Sequence, residues 1–194
     1  AGANKELLHN LELPYQAVTS TDLYLTHYLN DSANDPVMNR IRAQKLRNSE
    51  EDKVKIFFVP SYLNGDDGVL NMPYYDLLVG MDLTAFPSYY EPWGYTPLES
   101  LAFKVPTITT TLAGFGLWVK EHYNMNHPGI EVIHREDGDA SNVATAIAEW
   151  VKNYTQVGET EMQKDRDNAK DVSRIALWDN LINYYKQAYQ GAFW

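Results

Sequence analysis

Short apolar segments alternate with amphipathic segments along most of the chain. Each apolar segment is rich in valine, isoleucine, phenylalanine or threonine and is bounded by proline, glycine or polar residues. Segments of this kind are typical of buried β-strands. The pattern therefore predicts four strands, at Val54–Pro60, Asp82–Ser88, Val105–Thr111 and Gly129–His134.

The amphipathic segments predict helices. In one of them, Val143, Ile147 and Val151 recur at the spacing of a single helical face. Another begins with an aspartate that is placed to cap the helix and a proline in the first turn. The predicted helices are Asp35–Leu46, Tyr74–Met81, Thr96–Lys104, Ala140–Tyr154 and a long one, Glu159–Gln190, that is broken or bent near Ser173–Trp178.

The alternation of strands and helices favours an α/β fold. It predicts a Rossmann-like parallel sheet that is covered by helices on both faces. A doubly wound domain usually has about five or six strands. Only four are evident here, and residues 1–50 look irregular or helical. We therefore expect part of a larger fold.

Composition narrows the classes of function. Hydrophobic residues make up 44% of the 194 residues, but no apolar run approaches the length of a membrane span, so we expect a globular protein without a membrane partner. The formal net charge of −10 argues against binding nucleic acid, because neutralising phosphates requires clustered lysine and arginine. The chain has no cysteine and no segment resembling a signal peptide, so a cytoplasmic location is expected.

The segment Tyr89–Phe103 carries the candidate chemistry. It connects a predicted strand to a predicted helix, at the end of the strand where parallel sheets bind their ligands. Thr96 as N-cap, Pro97 in the first helical position and Glu99 two residues later form a capping-box pattern. The free N–H groups at such a helix start suit a diphosphate. Gly94 would let the backbone approach a ligand closely.

The same residues also have simpler explanations. Glu99 is accounted for by the capping box alone. Trp93 and the neighbouring tyrosines are accounted for by packing. Glu91 lies among aromatic residues outside the predicted helix, where a carboxylate needs a partner or a ligand. The residues alone leave a structural and a ligand-binding explanation open.

A longer stretch of the chain resembles a known protein family. Residues Phe86–Gly116, FPSYYEPWGYTPLESLAFKVPTITTTLAGFG, resemble the signature of glycogen synthases of the animal and fungal type. The resemblance extends to Asn30–Asn64 and to LWDNLINYYKQAY at Leu177–Tyr189. Members of this family are retaining glycosyltransferases of the GT-B fold, in which two Rossmann-like domains face each other across a cleft.

The resemblance implies roles for the residues of the central turn. Glu91 would contact the hydroxyl groups of the transferred glucose and act as the catalytic residue. Glu99 would hold the ribose hydroxyls of the nucleotide. The backbone amides of Tyr95 and Thr96 would bind the distal phosphate, in agreement with the argument from the helix start.

Other binding residues follow from the same resemblance. Trp93 and Gly94 belong to the motif that surrounds the donor. Tyr62 and Tyr74 fall where the family places aromatic rings against uracil. The implied reaction moves glucose from UDP-glucose to the 4-hydroxyl at the non-reducing end of an α-1,4-glucan, with retention of configuration. No metal ion or other cofactor is implied, and the sequence has no evident cluster with metal-site spacing.

The chain also departs from the family. It lacks the segment, similar to GRYE…NKG, whose arginine and lysine neutralise the diphosphate. We therefore expect residues 1–194 to be a partial C-terminal UDP-sugar-binding domain, inactive alone. It would comprise a lead-in at 1–50, strands and donor-site loop at 51–135, and C-terminal helices at 136–194. Its expected partners are UDP-glucose, the α-glucan acceptor and an N-terminal acceptor-side domain.

Two structural consequences follow from these departures. Without its usual neighbours, the strand Val54–Pro60 would pair differently, exchange between molecules or leave an exposed edge, so a homo-oligomer is one expectation. Lys104 stands where relatives often carry glycine at the end of a helix. A left-handed conformation costs lysine more than glycine, so we expect that turn to differ.

Two alternative functions remain open at this point. The first is a related retaining glycosyltransferase that uses ADP-glucose, because stacking on Tyr62 and Tyr74 discriminates weakly between bases. The second is a non-catalytic module that binds nucleotide or glucan, or that serves assembly.

Overall fold

The computed structural model describes residues 25–123 and 129–192. The chain divides into two compact units, Ala1–Asp76 and Leu77–Trp194. The predicted lead-in, residues 1–50, lies partly outside the described residues, because these begin at residue 25. Helices α1 and α2 are Pro36–Ala43 and Tyr74–Val79, and the later helices, α3 to α7, are Tyr95–Ala102, Gly114–His122, Ala140–Tyr154, Glu159–Ile175 and Trp178–Ala192. The strands β1 to β3 are Thr84–Ala85, Thr107–Thr110 and Ile130–Ile133.

Helix α1 organises the first unit. The carboxylate of Asp35 accepts a hydrogen bond of 2.9 Å from the Met38 N–H, and Pro36 occupies the first turn, which confirms the predicted helix start. Met38 and Ile41 form the buried face of this helix. The residues that pack against this pair are Leu25, Leu29, Ile56 and Phe58.

The prediction of a buried strand at Val54–Pro60 is wrong. The segment forms a single parallel bridge, between Phe58 and Leu25, and the side chains of Val54 and Phe57 are exposed. A strand requires a neighbour along several residues, and in the described part of the chain only Leu25 pairs with this segment. The apolar residues Ile56 and Phe58 instead pack against the buried face of α1.

A buried aspartate ties together the turn that precedes α2. The Asp67 carboxylate accepts hydrogen bonds from the N–H groups of Val69, Leu70 and Asn71, and it lies 3.1 Å from Nε2 of His27. Burial raises the pKa of this carboxyl, but the backbone N–H groups and His27 together outweigh burial and lower the pKa to about 2.

The second unit is built on a parallel sheet in the order β1-β2-β3. On one face, Ile130 and Val132 pack with buried residues of α3, α4 and α6. On the other face, Ile108 and Ile133 pack against α5. The α/β class and the coverage of both faces are therefore confirmed within this unit. The predicted break in the long C-terminal helix is also confirmed, between α6 and α7.

Buried hydroxyl groups fix α3 to the sheet. The Thr84 Oγ1 lies 2.6 Å from the Ser100 Oγ and 2.9 Å from the Thr107 Oγ1. Ser100 belongs to α3, whereas the two threonines belong to β1 and β2. These contacts hold the helix that carries Tyr95, Thr96 and Glu99 in a defined position over the strands.

Helix α3 ends in a left-handed residue. Lys104 has a φ of 63°, and its N–H bonds to the Leu101 carbonyl while the Val105 N–H bonds to the Ser100 carbonyl. This pair of bonds is the Schellman motif, which usually places glycine where Lys104 stands. The Lys104 ammonium also lies 2.7 Å from the Asp167 carboxylate of α6.

None of the helices in residues 25–123 and 129–192 is both long enough and apolar enough to cross a membrane.

Replacing Lys104 by glycine tests the left-handed turn. In a chain that carries Asp167→Asn, and so lacks the ion pair, Lys104→Gly is expected to raise the free energy of unfolding by about 0.5–1 kcal/mol, because glycine adopts positive φ without a Cβ clash. Urea denaturation measures the change. The control is Lys186→Gly inside α7, which is expected to lower the free energy of unfolding by about 1 kcal/mol. A decrease for Lys104→Gly would contradict the structure of the turn.

Acid titration tests the Asp67 turn. A carboxyl whose pKa falls from 3.8 to about 2 on folding stabilises the folded state above pH 3.8, and this contribution is lost as the pH falls towards 2. Asp67→Asn is therefore expected to lower the free energy of unfolding at neutral pH. Between pH 3.8 and about 2, the free energy of unfolding of this variant should fall less steeply than that of the wild type. Circular dichroism during urea denaturation at each pH gives the comparison. Asp66→Asn, at the exposed neighbouring position, is the control and should keep the wild-type stability at neutral pH.

Candidate functional site

The backbone around Glu91 is bonded to the start of α4. The Glu91 N–H donates to the Leu112 carbonyl at 3.2 Å, and the Gly114 N–H donates to the Glu91 carbonyl at 3.0 Å. The Phe115 N–H donates to the Trp93 carbonyl at 2.6 Å. The turn that bears Glu91 therefore lies directly on the N-terminus of a helix that the sequence analysis did not predict.

Two glycines permit this close contact. A Cβ at Gly114 would lie 2.1 Å from the Pro92 carbonyl oxygen, which is closer than any real contact. Gly94 has a φ of +100°, and a Cβ there would lie 3.3 Å from the Cγ of Glu91. The two glycines of LAGFG, Gly114 and Gly116, were the available sequence signal for the contact at α4, since such glycines often mark close backbone approach.

The predicted capping box is wrong. Helix α3 begins at Tyr95, and its N-cap is Gly94, which has no side chain to cap it. Thr96 and Pro97 are therefore the second and third helical residues. Glycine can adopt the left-handed conformation that turns the chain into the helix two residues earlier than the proline suggested. Proline remains compatible with the third position, because the N–H groups of the first turn have no partner within the helix.

This helix start retains the geometry that an anion requires. Tyr95 and Thr96 contribute first-turn N–H groups, and both residues are exposed. Glu99 is half-buried one turn further along the same helix. Glu91 is exposed and precedes the helix by four residues. The structure thus brings the two glutamates and the helix start together at one end of the parallel sheet.

The aromatic residues of the turn divide into two groups. Trp93 packs inward, with its ring centroid 5.6 Å from that of Phe115 and 5.7 Å from that of Trp118. Tyr90 and Tyr95 are exposed. Packing therefore accounts for the position of Trp93, and its predicted role in ligand binding stays a prediction.

Arg135 is a residue of this site that the sequence analysis missed. It follows β3 and is only 5% exposed. Its guanidinium donates a hydrogen bond of 2.6 Å to the Pro87 carbonyl, and its Cζ lies 3.5 Å from the ring centroid of Tyr89. The one available sequence signal was a cation placed directly after a predicted strand in an acidic chain.

The two tyrosines predicted to contact the base lie in the first unit, apart from helix α3 in the chain. Tyr62 is 92% exposed, and Tyr74 is half-buried. The Tyr74 N–H donates to the Leu63 carbonyl at 2.9 Å, and Asn64 forms an antiparallel bridge with Pro73. This bridge brings the two tyrosine-bearing segments side by side.

No group of three or more histidine, aspartate or glutamate side chains that could hold a metal ion occurs in the part of the chain that the structure describes.

Comparison with known proteins identifies the family. The glycogen synthase family model matches residues 11–193. The chain belongs to the glycogen synthase family. This confirms the resemblance found in the sequence.

Curated glycogen synthases match most of this chain. Glycogen [starch] synthase isoform 1 of Saccharomyces cerevisiae is 32% identical over 169 residues, and the Neurospora crassa enzyme is 34% identical over 167 residues. Liver glycogen [starch] synthase of Mus musculus is 32% identical over 164 residues. These alignments cover 86%, 86% and 84% of this chain but 24%, 24% and 23% of the relatives. The chain thus spans about a quarter of the length of the glycogen synthases that it matches.

Gly114→Ala tests the contact between the turn and α4. The added Cβ overlaps the Pro92 carbonyl, so the turn must move, and we expect the free energy of unfolding to fall by about 1–3 kcal/mol. The near-ultraviolet circular dichroism of the packed tryptophans should also change. Gly191→Ala, which meets no atom within 4 Å, is the matched control: it should leave the spectrum unchanged and should not lower the free energy of unfolding, because alanine favours helix α7. Wild-type values for Gly114→Ala would show that the turn does not lie against α4.

Proposed function

We propose that this chain supplies the sugar-nucleotide-binding part of a retaining glycogen synthase of GT-B architecture. The complete protein would transfer glucose from UDP-glucose to the 4-hydroxyl of an α-1,4-glucan end, in the cytoplasm. The observation that carries the proposal is the arrangement of Glu91 on the loop before α3, the glycine at the start of α3 and Glu99 one turn into that helix.

The start of α3 would bind the diphosphate. Its N-cap, Gly94, has no side chain to bond the first-turn N–H groups of Tyr95 and Thr96, and these groups carry the positive end of the helix dipole. As the bond between glucose and phosphate breaks, negative charge builds up on the diphosphate. Fixed dipoles stabilise this charge without having to reorient during the reaction.

The two glutamates would act on different parts of the donor. Glu99, one turn into α3, would accept hydrogen bonds from the ribose hydroxyls. Glu91, on the loop before the helix, would lie beside the glucose ring, where positive charge develops on the sugar in the transition state. The fixed backbone of Glu91, bonded to Leu112 and Gly114, would keep this carboxylate in place.

Neutralisation of the diphosphate would need further groups. Among the described residues, the guanidinium of Arg135 is occupied by backbone carbonyls of the adjacent loop. The chain as a whole is acidic, with a formal net charge of −10. We therefore propose that basic residues outside this sequence complete the donor site, and that the chain alone binds nucleotide weakly and transfers no glucose.

Calorimetric titration of the chain with UDP and ADP tests the proposed site. We expect UDP to bind more tightly than ADP, and Glu99→Gln to weaken UDP binding by about tenfold, because hydrogen bonds to a carboxylate are lost. Glu149→Gln, on the exposed side of α5, is the matched control and should bind UDP as the wild type does.

The complete protein separates binding from transfer. There, Glu91→Gln is expected to abolish transfer while UDP affinity stays within about threefold of the wild type, because Glu91 contacts sugar rather than nucleotide. Preferential binding of ADP would favour the alternative of an ADP-glucose enzyme. Retention of glucan by a complete protein that transfers no glucose from either donor would favour the alternative of a non-catalytic module.

A further inference from the structure

Arg135 connects the end of β3 to the loop that leads into Glu91. Its Nη1 donates to the carbonyl of Pro87 at 2.6 Å and approaches the carbonyl of Ser88 at 3.4 Å. Its guanidinium lies over the ring of Tyr89 at 3.5 Å from the centroid. Three consecutive loop residues just before the proposed catalytic glutamate are therefore held by one side chain.

Both ends of this connection are anchored at the carboxyl end of β2, by Thr110 of the strand and by Thr111 directly after it. The Arg135 N–H donates to the Thr111 Oγ1 at 3.0 Å, and the Thr111 N–H donates to the Ile133 carbonyl at 3.0 Å. On the loop side, the Thr110 Oγ1 donates to the Ser88 carbonyl at 2.9 Å. Arg135 thus acts as a rigid connection across the carboxyl ends of the three strands.

No carboxylate among the described residues forms an ion pair with Arg135. Its Nε has no hydrogen-bond partner there either. Burying such a charge is costly unless oxygen atoms or an aromatic face surround it. Removing the loop carbonyls or the Tyr89 ring would take away part of what surrounds the buried cation. The loop and Arg135 therefore hold each other in place.

We propose that Arg135 is a positioning residue for Glu91 in glucosyl transfer, an inference that rests on the proposed function. It acts through the backbone of Pro87 and Ser88 and through the ring of Tyr89, without touching the substrate. The start of α4 holds the other side of the same loop, through Gly114 and Phe115. The nucleotide contacts at α3 lie beyond this second support, so they do not depend on Arg135.

The complete protein provides the test. In Arg135→Met, kcat is expected to fall by about tenfold or more, whereas the dissociation constant for UDP stays within about threefold, because a small displacement of Glu91 affects the reaction more than nucleotide binding. Arg135→Lys should recover part of the rate, since an ammonium can still donate to the Pro87 carbonyl but cannot lie flat on the ring. Arg174→Met, at an exposed arginine of α6, is the matched control with wild-type kinetics.

Tyr89→Leu provides an independent check on the same contact. It should lower kcat less than Arg135→Met does, and the double variant should lose less than the product of the two single losses, because both changes remove one shared interaction. Unchanged kcat in a folded Arg135→Met protein, or independent losses in the double variant, would overturn the proposal. If Arg135→Met does not fold, Arg135→Lys takes its place: a lowered kcat would support the proposal, and an unchanged kcat would overturn it.

Hydrogen exchange separates this proposal from the proposed function. If the wild-type complete protein transfers no glucose, the proposed function fails. Arg135→Met should still speed amide exchange across Phe86–Glu91 while leaving exchange in β2 at its wild-type rate. Equal exchange in the loop of both proteins would show that Arg135 does not hold it.

Discussion

The contact between the Glu91 turn and the start of α4 is the constraint on which the candidate site depends. It requires backbone to lie against backbone, and only the missing Cβ of Gly114 allows this. Because the turn is fixed there, Gly94 can direct the chain into α3 at once, in a left-handed conformation. The position of the exposed helix start and of its two glutamates is therefore determined by packing against α4, and not by a local side-chain cap.

The site combines a rigid support with a solvent-exposed edge. Behind the turn, Trp93 packs on the aromatic residues of α4, and buried hydroxyls join α3 to the sheet. In front of it, Glu91, Tyr95 and Thr96 face solvent. Ligand-binding residues in parallel α/β folds generally have this arrangement, since strand ends and helix starts meet at the same edge.

The sequence was sufficient wherever hydrophobic spacing alone determines an element. Strands β2 and β3, helix α5 and the break before α7 all follow from local patterns, and the family follows from one long motif. The sequence was insufficient where contacts with residues distant along the chain determine whether an element forms. Val54–Pro60 has the composition of a strand but finds only one residue to pair with among those described, and composition cannot reveal a partner.

The same limit explains the errors at the site itself. The capping-box pattern assumed that Thr96 is the N-cap of the helix, whereas contacts with Ala113 and Gly114, far along the chain, fix the helix start two residues earlier. Arg135 reaches residues that lie 47 and 48 positions before it, so no local pattern points to it.

The buried hydroxyl chain of Thr84, Ser100 and Thr107 has a consequence for how this family can change. Thr107 donates its one hydroxyl proton to the Val105 carbonyl, so Thr84 donates to Thr107 and Ser100 donates to Thr84, in one directed chain. Replacing one by an apolar residue removes a hydrogen-bond partner from its neighbour, whereas replacing partners together by apolar groups of the same shape is nearly neutral. Substitutions at these three positions should therefore be inherited as a set, and a sequence with only one of them altered should be rare.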